Sequence, residues 1–175
     1  MKIILIGMMG SAKSTVGRLL AAQLHCPLLD LDNMIEEQCQ QAIYEIFAER
    51  GEGYFRQLEA AAMLKLAAQA GPAVISLGGG AILNSTAMDV LKDTGRVIYL
   101  RATPAHLAKR LAYSAEKRPL LLDAPDQLAR LTDILALRRH IYEHYAHLSL
   151  DSDNKNSAAL AAEILQWCSS ADALS

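Results

Sequence analysis

The sequence predicts an α/β fold in which a mainly parallel sheet is covered by helices on both faces. Two observations lead there. Five short apolar runs, at residues 3–6, 28–31, 73–77, 97–100 and 148–150, alternate with longer segments of helical period, such as Val16, Leu19, Leu20 and Leu24 or Leu58, Ala61, Ala62 and Leu66. Strands separated by helices need right-handed crossovers, which make the strands parallel and bury both faces of the sheet. The residues suited to chemistry also fall where such sheets bind ligands, beyond the carboxyl ends of the strands. Residues 7–14 follow the first run, Asp30 and Asp32 end the second, and Gly78, Gly79 and Gly80 follow the third.

Composition bounds the rest. At 175 residues, 52% hydrophobic and 21% charged, the chain can bury one sizeable core. A single domain over residues 1–168 is expected, with fraying after Gln166 and a tail at 169–175. A net charge of -2 argues against general nucleic-acid binding. Only four apolar residues separate Lys2 from Gly7, too few for a signal peptide or a membrane span, so a soluble, cytoplasmic monomer is the expectation. Cys26, Cys39 and Cys168 lie far apart and form no C-x-x-C, which favours reduced thiols over a disulfide framework or a zinc site.

The first run leads directly into GMMGSAKST, residues 7–15. This matches the phosphate-binding loop G-x-x-x-x-G-K-[ST] except at Ala12, where the pattern has its second glycine. In such a loop, N–H groups at a helix N-terminus face an anion along the positive end of the helix dipole. Gly7, Gly10, Ser11, Ala12, Lys13, Ser14 and Thr15 are the nucleotide-binding set, with Lys13 reaching the terminal phosphates and Ser14 able to ligate Mg²⁺. The second run ends in Asp30-Leu31-Asp32. One carboxylate could bind Mg²⁺, for which Asp30 is the candidate, and the other could take a proton from an attacking hydroxyl. Asp32 could equally cap a helix starting near Asn33.

Farther along, Arg56 could bind a ligand or pair with Glu52 and Glu59 one helical turn away. Gly78, Gly79 and Gly80 could form a plain turn or let backbone approach a ligand. Arg101, Lys109, Arg110, Lys117 and Arg118 oppose only Glu116 between residues 101 and 118, which suits a polyphosphate. Residues 112–127 lack periodicity and hold two prolines, marking a loop able to move. His140, His144 and His147 read as a solvated face rather than a metal site.

Five motifs in one order resemble the shikimate kinase family over nearly the whole chain. They are the loop at 7–15 with Asp30-x-Asp32; Gly51-Glu52 with Phe55, Arg56 and Glu59; the triple glycine; Arg118-Pro119-Leu120-Leu121; and Arg138 with Tyr142. The resemblance implies a three-layer P-loop sandwich with strand order 2-3-1-4-5, transferring phosphate from ATP to the 3-hydroxyl of shikimate with Mg²⁺. It implies that Arg56 and Arg138 clamp the substrate carboxylate, and that Asp32 draws the proton from the attacking hydroxyl. Gly78, Gly79 and Gly80 would pass close to the ring, Arg110 would stack on adenine, and Arg118 would enter with a mobile lid at about 113–126. A segment at about 33–69 would close over the acceptor. Two rivals are a kinase of another hydroxylated carboxylate such as gluconate, and a weakly active or non-catalytic binder whose loop has decayed at Ala12.

Overall fold

The computed structural model describes residues 1–112, 119–121 and 125–172. Along them run β1 (Lys2–Ile6), α1 (Lys13–Gln23), β2 (Leu28–Asp30), α2 (Leu31–Cys39), α3 (Ile43–Ala68) and β3 (Ala73–Ser76). Then follow α4 (Ser85–Lys92), β4 (Gly95–Arg101), α5 (Pro104–Leu111), α6 (Gln127–Tyr145), β5 (Leu148–Asp151) and α7 (Ser157–Asp172). The strands form one parallel sheet in the order β2-β3-β1-β4-β5, as the resemblance implies.

β1 is central, with Ile4 opposite Ile75 on one side and Val97 on the other. Side chains alternate across a strand, so β1 feeds two cores at once. Ile4 and Ile6 join the larger core, with residues of α2, α3, α4 and α6. Ile3 and Leu5 join Val16, Leu20, Leu160 and Ile164 beneath α1 and α7. Lys2 is buried at the foot of β1, where its ammonium donates to the carbonyls of Leu66 and Ala67 at 2.7 and 2.8 Å and so caps the end of α3.

Two boundaries differ from the sequence reading, each for a local reason. Asp30, not Asp32, is the helix cap: its Oδ1 accepts from the N–H groups of Asp32 and Asn33, so Leu31 already belongs to α2 and Asp32 to its first turn. The fraying expected after Gln166 does not occur there, because α7 continues to Asp172. Cys168 is buried in the second core, and the Arg96 guanidinium lies over the Trp167 ring at 5.4 Å. α3 breaks at Gly51, whose φ of 77° and ψ of 170° are not helical, and this swings its first turns toward the carboxyl edge of the sheet. Among the described residues no helix is long and apolar enough to cross a membrane.

Candidate active site

The loop between β1 and α1 is built on three residues of positive φ: Gly7 at 145°, Gly10 at 80° and Ala12 at 72°. A side chain at Gly7 would stand 2.6 Å from the Leu100 carbonyl, so the loop must be bare there. Ala12 occupies the left-handed region that costs an L-residue about 1 kcal/mol. It is the N-cap of α1, carries no side-chain acceptor, and no acid follows in the first turn. The first N–H groups of α1 therefore keep their capacity for an anion. The Ala12 methyl packs against the second core, and the residue also borders a cavity of about 440 Å³ with Gly10, Lys13, Ser14 and Thr15. Gly7 and Ser11 stay inside the loop and do not line that cavity.

Lys13 lies folded over the loop, its ammonium donating to the carbonyls of Gly7 and Met8 at 2.8 and 2.9 Å. The Ser14 hydroxyl donates to Asp30 Oδ2 at 2.9 Å, which sets two hard oxygen ligands side by side at the cavity edge. No cluster of three His, Cys, Asp or Glu able to hold a metal alone occurs among the described residues, including around His140 and His144. Such a pair suits a magnesium ion that takes its other oxygens from phosphates and water. Arg110 also lines this cavity, with its guanidinium donating to the carbonyls of Gly10 and Ser152. It thereby ties the loop to the segment after β5.

A second cavity of about 370 Å³ lies beside the first, and Met9, Asp32, Gly78 and Gly79 line both. Its floor brings together Arg56, Glu59, Arg138 and Asp32 from α3, α6 and α2. Both ion pairs foreseen for Arg56 form, at 2.7 Å to Glu59 and 2.8 Å to Glu52, and Arg56 still faces the cavity. Of the two neighbouring arginines, Arg138 is the one that lines this cavity; Arg139 borders a separate surface groove.

The three glycines have negative φ, so close approach explains them. A Cβ on Gly78 would stand 2.5 Å from Asp32 Oδ1 and 3.2 Å from Glu59 Oε1, and one on Gly80 would stand 2.3 Å from Arg56 Nη1. Gly78 and Gly80 make room for the protein's own charges, and Gly79 for the loop backbone, 3.1 Å from Met9 N. Pro119 and Leu120 complete the wall; Arg118 and most of the expected lid, 113–118 and 122–124, lie outside the described residues.

Glu59 is the residue whose weight the sequence did not show. It is 1% exposed, Oε2 meets Arg56, and Oε1 has no hydrogen-bond partner among the described residues. Burial pushes its carboxyl up to about 7; Arg56 and Arg138 pull the other way, and Asp32 adds to the rise. The sequence offered its place one turn after Arg56 and in the motif it shares with Gly51, Glu52 and Phe55, and neither gave it a role.

The shikimate kinase family model matches residues 9–169 of the chain. A shikimate kinase of Symbiobacterium thermophilum is 39% identical over 166 residues, 95% of each sequence. One of Moorella thermoacetica is 42% identical over 164 residues, 93% of this chain and 91% of that one. The chain belongs to the shikimate kinase family. Among solved structures, shikimate kinase from Acinetobacter baumannii in complex with shikimate superposes with a TM-score of 0.91 at 34% identity, covering 97% of this chain and 93% of that one.

Glu59 gives the family site of this protein a pH signature. A carboxyl at about 7 when folded and 4.5 when unfolded binds more protons folded than unfolded between those values. Its contribution to stability is complete below 4.5 and is lost as pH rises through 7. Melting temperatures of the ligand-free protein and Glu59→Gln, followed from pH 4.5 to 8, should show a decline in the parent that the variant lacks. Parallel profiles would contradict the buried, protonating carboxyl.

Proposed function

We propose that the protein transfers the γ-phosphoryl group of ATP to the 3-hydroxyl of shikimate, giving ADP and shikimate 3-phosphate. The observation that carries this reading is Asp32, which lines the wall shared by a phosphate-type cavity and a cavity holding two arginines. A hydroxyl placed there stands between a base and a phosphoryl donor, which is the geometry an in-line transfer needs.

The acceptor's carboxylate is taken by Arg56 and Arg138, whose planar forks can each form paired hydrogen bonds to it. Asp32 orients the ring hydroxyls and takes the proton of the attacking one. On the donor side the loop N–H groups and α1 hold the phosphates, and Lys13 leaves the loop carbonyls to meet the terminal ones. Ser14 and Asp30 would hold Mg²⁺, which would supply charge screening for the phosphates. Arg110 offers a guanidinium face to the base while its edges stay on Gly10 and Ser152. Arg118 is assigned, on the family resemblance alone, to neutralising the transferring group.

A coupled ADP-release assay with Mg·ATP tests the reading. Release should depend on shikimate and not on gluconate; equal release with gluconate, or none with shikimate, would contradict it. Arg56→Ala or Arg138→Ala should raise the shikimate KM by roughly tenfold to a hundredfold, the loss of one charge-assisted contact, with the ATP KM unmoved. An unchanged shikimate KM removes that arginine from the clamp.

Ala12 sets the donor side. The left-handed turn is already formed without ligand, so its strain falls on the fold. Only the methyl at the cavity edge bears on affinity. Ala12→Gly should tighten ADP·Mg²⁺ binding by at least about fivefold in calorimetry, the effect of relieving one crowded methyl. Melting temperature should hardly move, since the lost strain is offset by lost packing on the second core. Equal affinities would show that the methyl is accommodated by that core alone.

A further inference from the structure

Tyr142 is fully buried on α6, yet its hydroxyl reaches the acceptor site. It donates to the Gly79 carbonyl, and Arg138, one turn earlier on the same face, donates to that carbonyl at 3.3 Å. Against the larger rise from burial, the guanidinium charge also pulls the phenol's pKa down. Three groups thus close a small network: one phenol, one guanidinium and one peptide carbonyl of the triple glycine. The ring cannot swing, because it stacks on Tyr99 of β4 at 4.8 Å and 14°.

We propose that Tyr142 is a positioning residue for the acceptor site, its hydroxyl fixing the Gly79 peptide whose carbonyl it shares with Arg138. The reason lies in what Arg138 must do. In the ligand-free site it helps to satisfy Gly79, but binding a carboxylate draws its donors away. A buried carbonyl left without a donor is costly. Tyr142 keeps Gly79 satisfied throughout, so the arginine can turn to the substrate without the loop shifting. Because peptide C=O and N–H point in opposite directions, holding the Gly79 carbonyl also sets which way the Gly80 N–H faces. Burial raises the phenol's pKa, which keeps it a donor at any working pH. The inference rests on the shikimate reading for the identity of the acceptor, but not for the network itself.

Tyr142→Phe tests it, with Tyr99→Phe as the control. Each removes one hydroxyl from the same stacked pair, and only Tyr142 bonds the Gly79 carbonyl. Tyr142→Phe should raise the shikimate KM about tenfold, with kcat within about twofold and the ATP KM unchanged. Tyr99→Phe should leave all three in place. In the ligand-free protein, the Gly79 carbonyl-carbon NMR shift should move in Tyr142→Phe and not in Tyr99→Phe. An unchanged shikimate KM, a fall in kcat alone, or an equal rise in Tyr99→Phe overturns the proposal. If the parent proves inert toward shikimate, the functional reading fails instead, and the Gly79 shift decides Tyr142: movement supports the network and no movement overturns it.

Discussion

A carboxylate withdrawn from water is costly unless partners meet it, and among the described residues Glu59 has a hydrogen-bond partner for only one of its oxygens. Much of the acceptor site follows from that constraint. Arg56 stands against Glu59 and Glu52, Arg138 comes from the far side, and Asp32 lies across Gly78 from the unbonded oxygen. Asp32, Glu59 and Arg56 fit into this space because Gly78 and Gly80 carry no Cβ, while Gly79 admits the loop backbone at Met9. Replacing the cluster with apolar groups would cost the fold little and remove the site. Its presence is a functional demand placed on the core.

The sheet delivers these residues to one edge. β1 and β2 end in the loop and the Asp30 cap, and β3 ends in the glycines; parallel register puts all three ends side by side. Asp30 joins the two halves of the site: one oxygen starts α2 and so aims Asp32, while the other takes the Ser14 hydroxyl from α1. Donor and acceptor cavities therefore share a wall by construction. A shift of α2 would move Asp32, the proposed base, and disturb the Ser14–Asp30 pair together.

Much of this was legible in the sequence. The five strands were visible as apolar runs because parallel strands buried on both faces lose the polar alternation that would blur them. The ion-paired reading of Arg56 holds, and the same side chain also lines a cavity, since an arginine paired along its helix can still face one. What escaped were matters of three-dimensional neighbourhood. Asp30 and Asp32 are equally good caps on paper, and only the turn of the chain after β2 chooses between them. The final turns of α7 look polar and small, so Gln166 read as the end of order, yet Trp167 and Cys168 find Arg96 and the second core. Which protein atoms the glycines clear also escaped: Gly78 and Gly80 stand against Asp32, Glu59 and Arg56, and Gly79 against the Met9 backbone, which no spacing rule places there.

The most direct test of this account is Gly80→Ala, followed by calorimetric titration of shikimate and of ADP·Mg²⁺. The new methyl would fall 2.3 Å from Arg56 Nη1, the movable end of a long side chain. The fold should survive with a melting temperature near the parent's, because the guanidinium can step aside. ADP affinity should be unchanged, while shikimate affinity drops by more than about tenfold as Arg56 leaves its place between Glu52 and Glu59. Parent-like shikimate affinity in a folded Gly80→Ala protein would contradict the claim that Gly78 and Gly80 exist to seat the site's own charges.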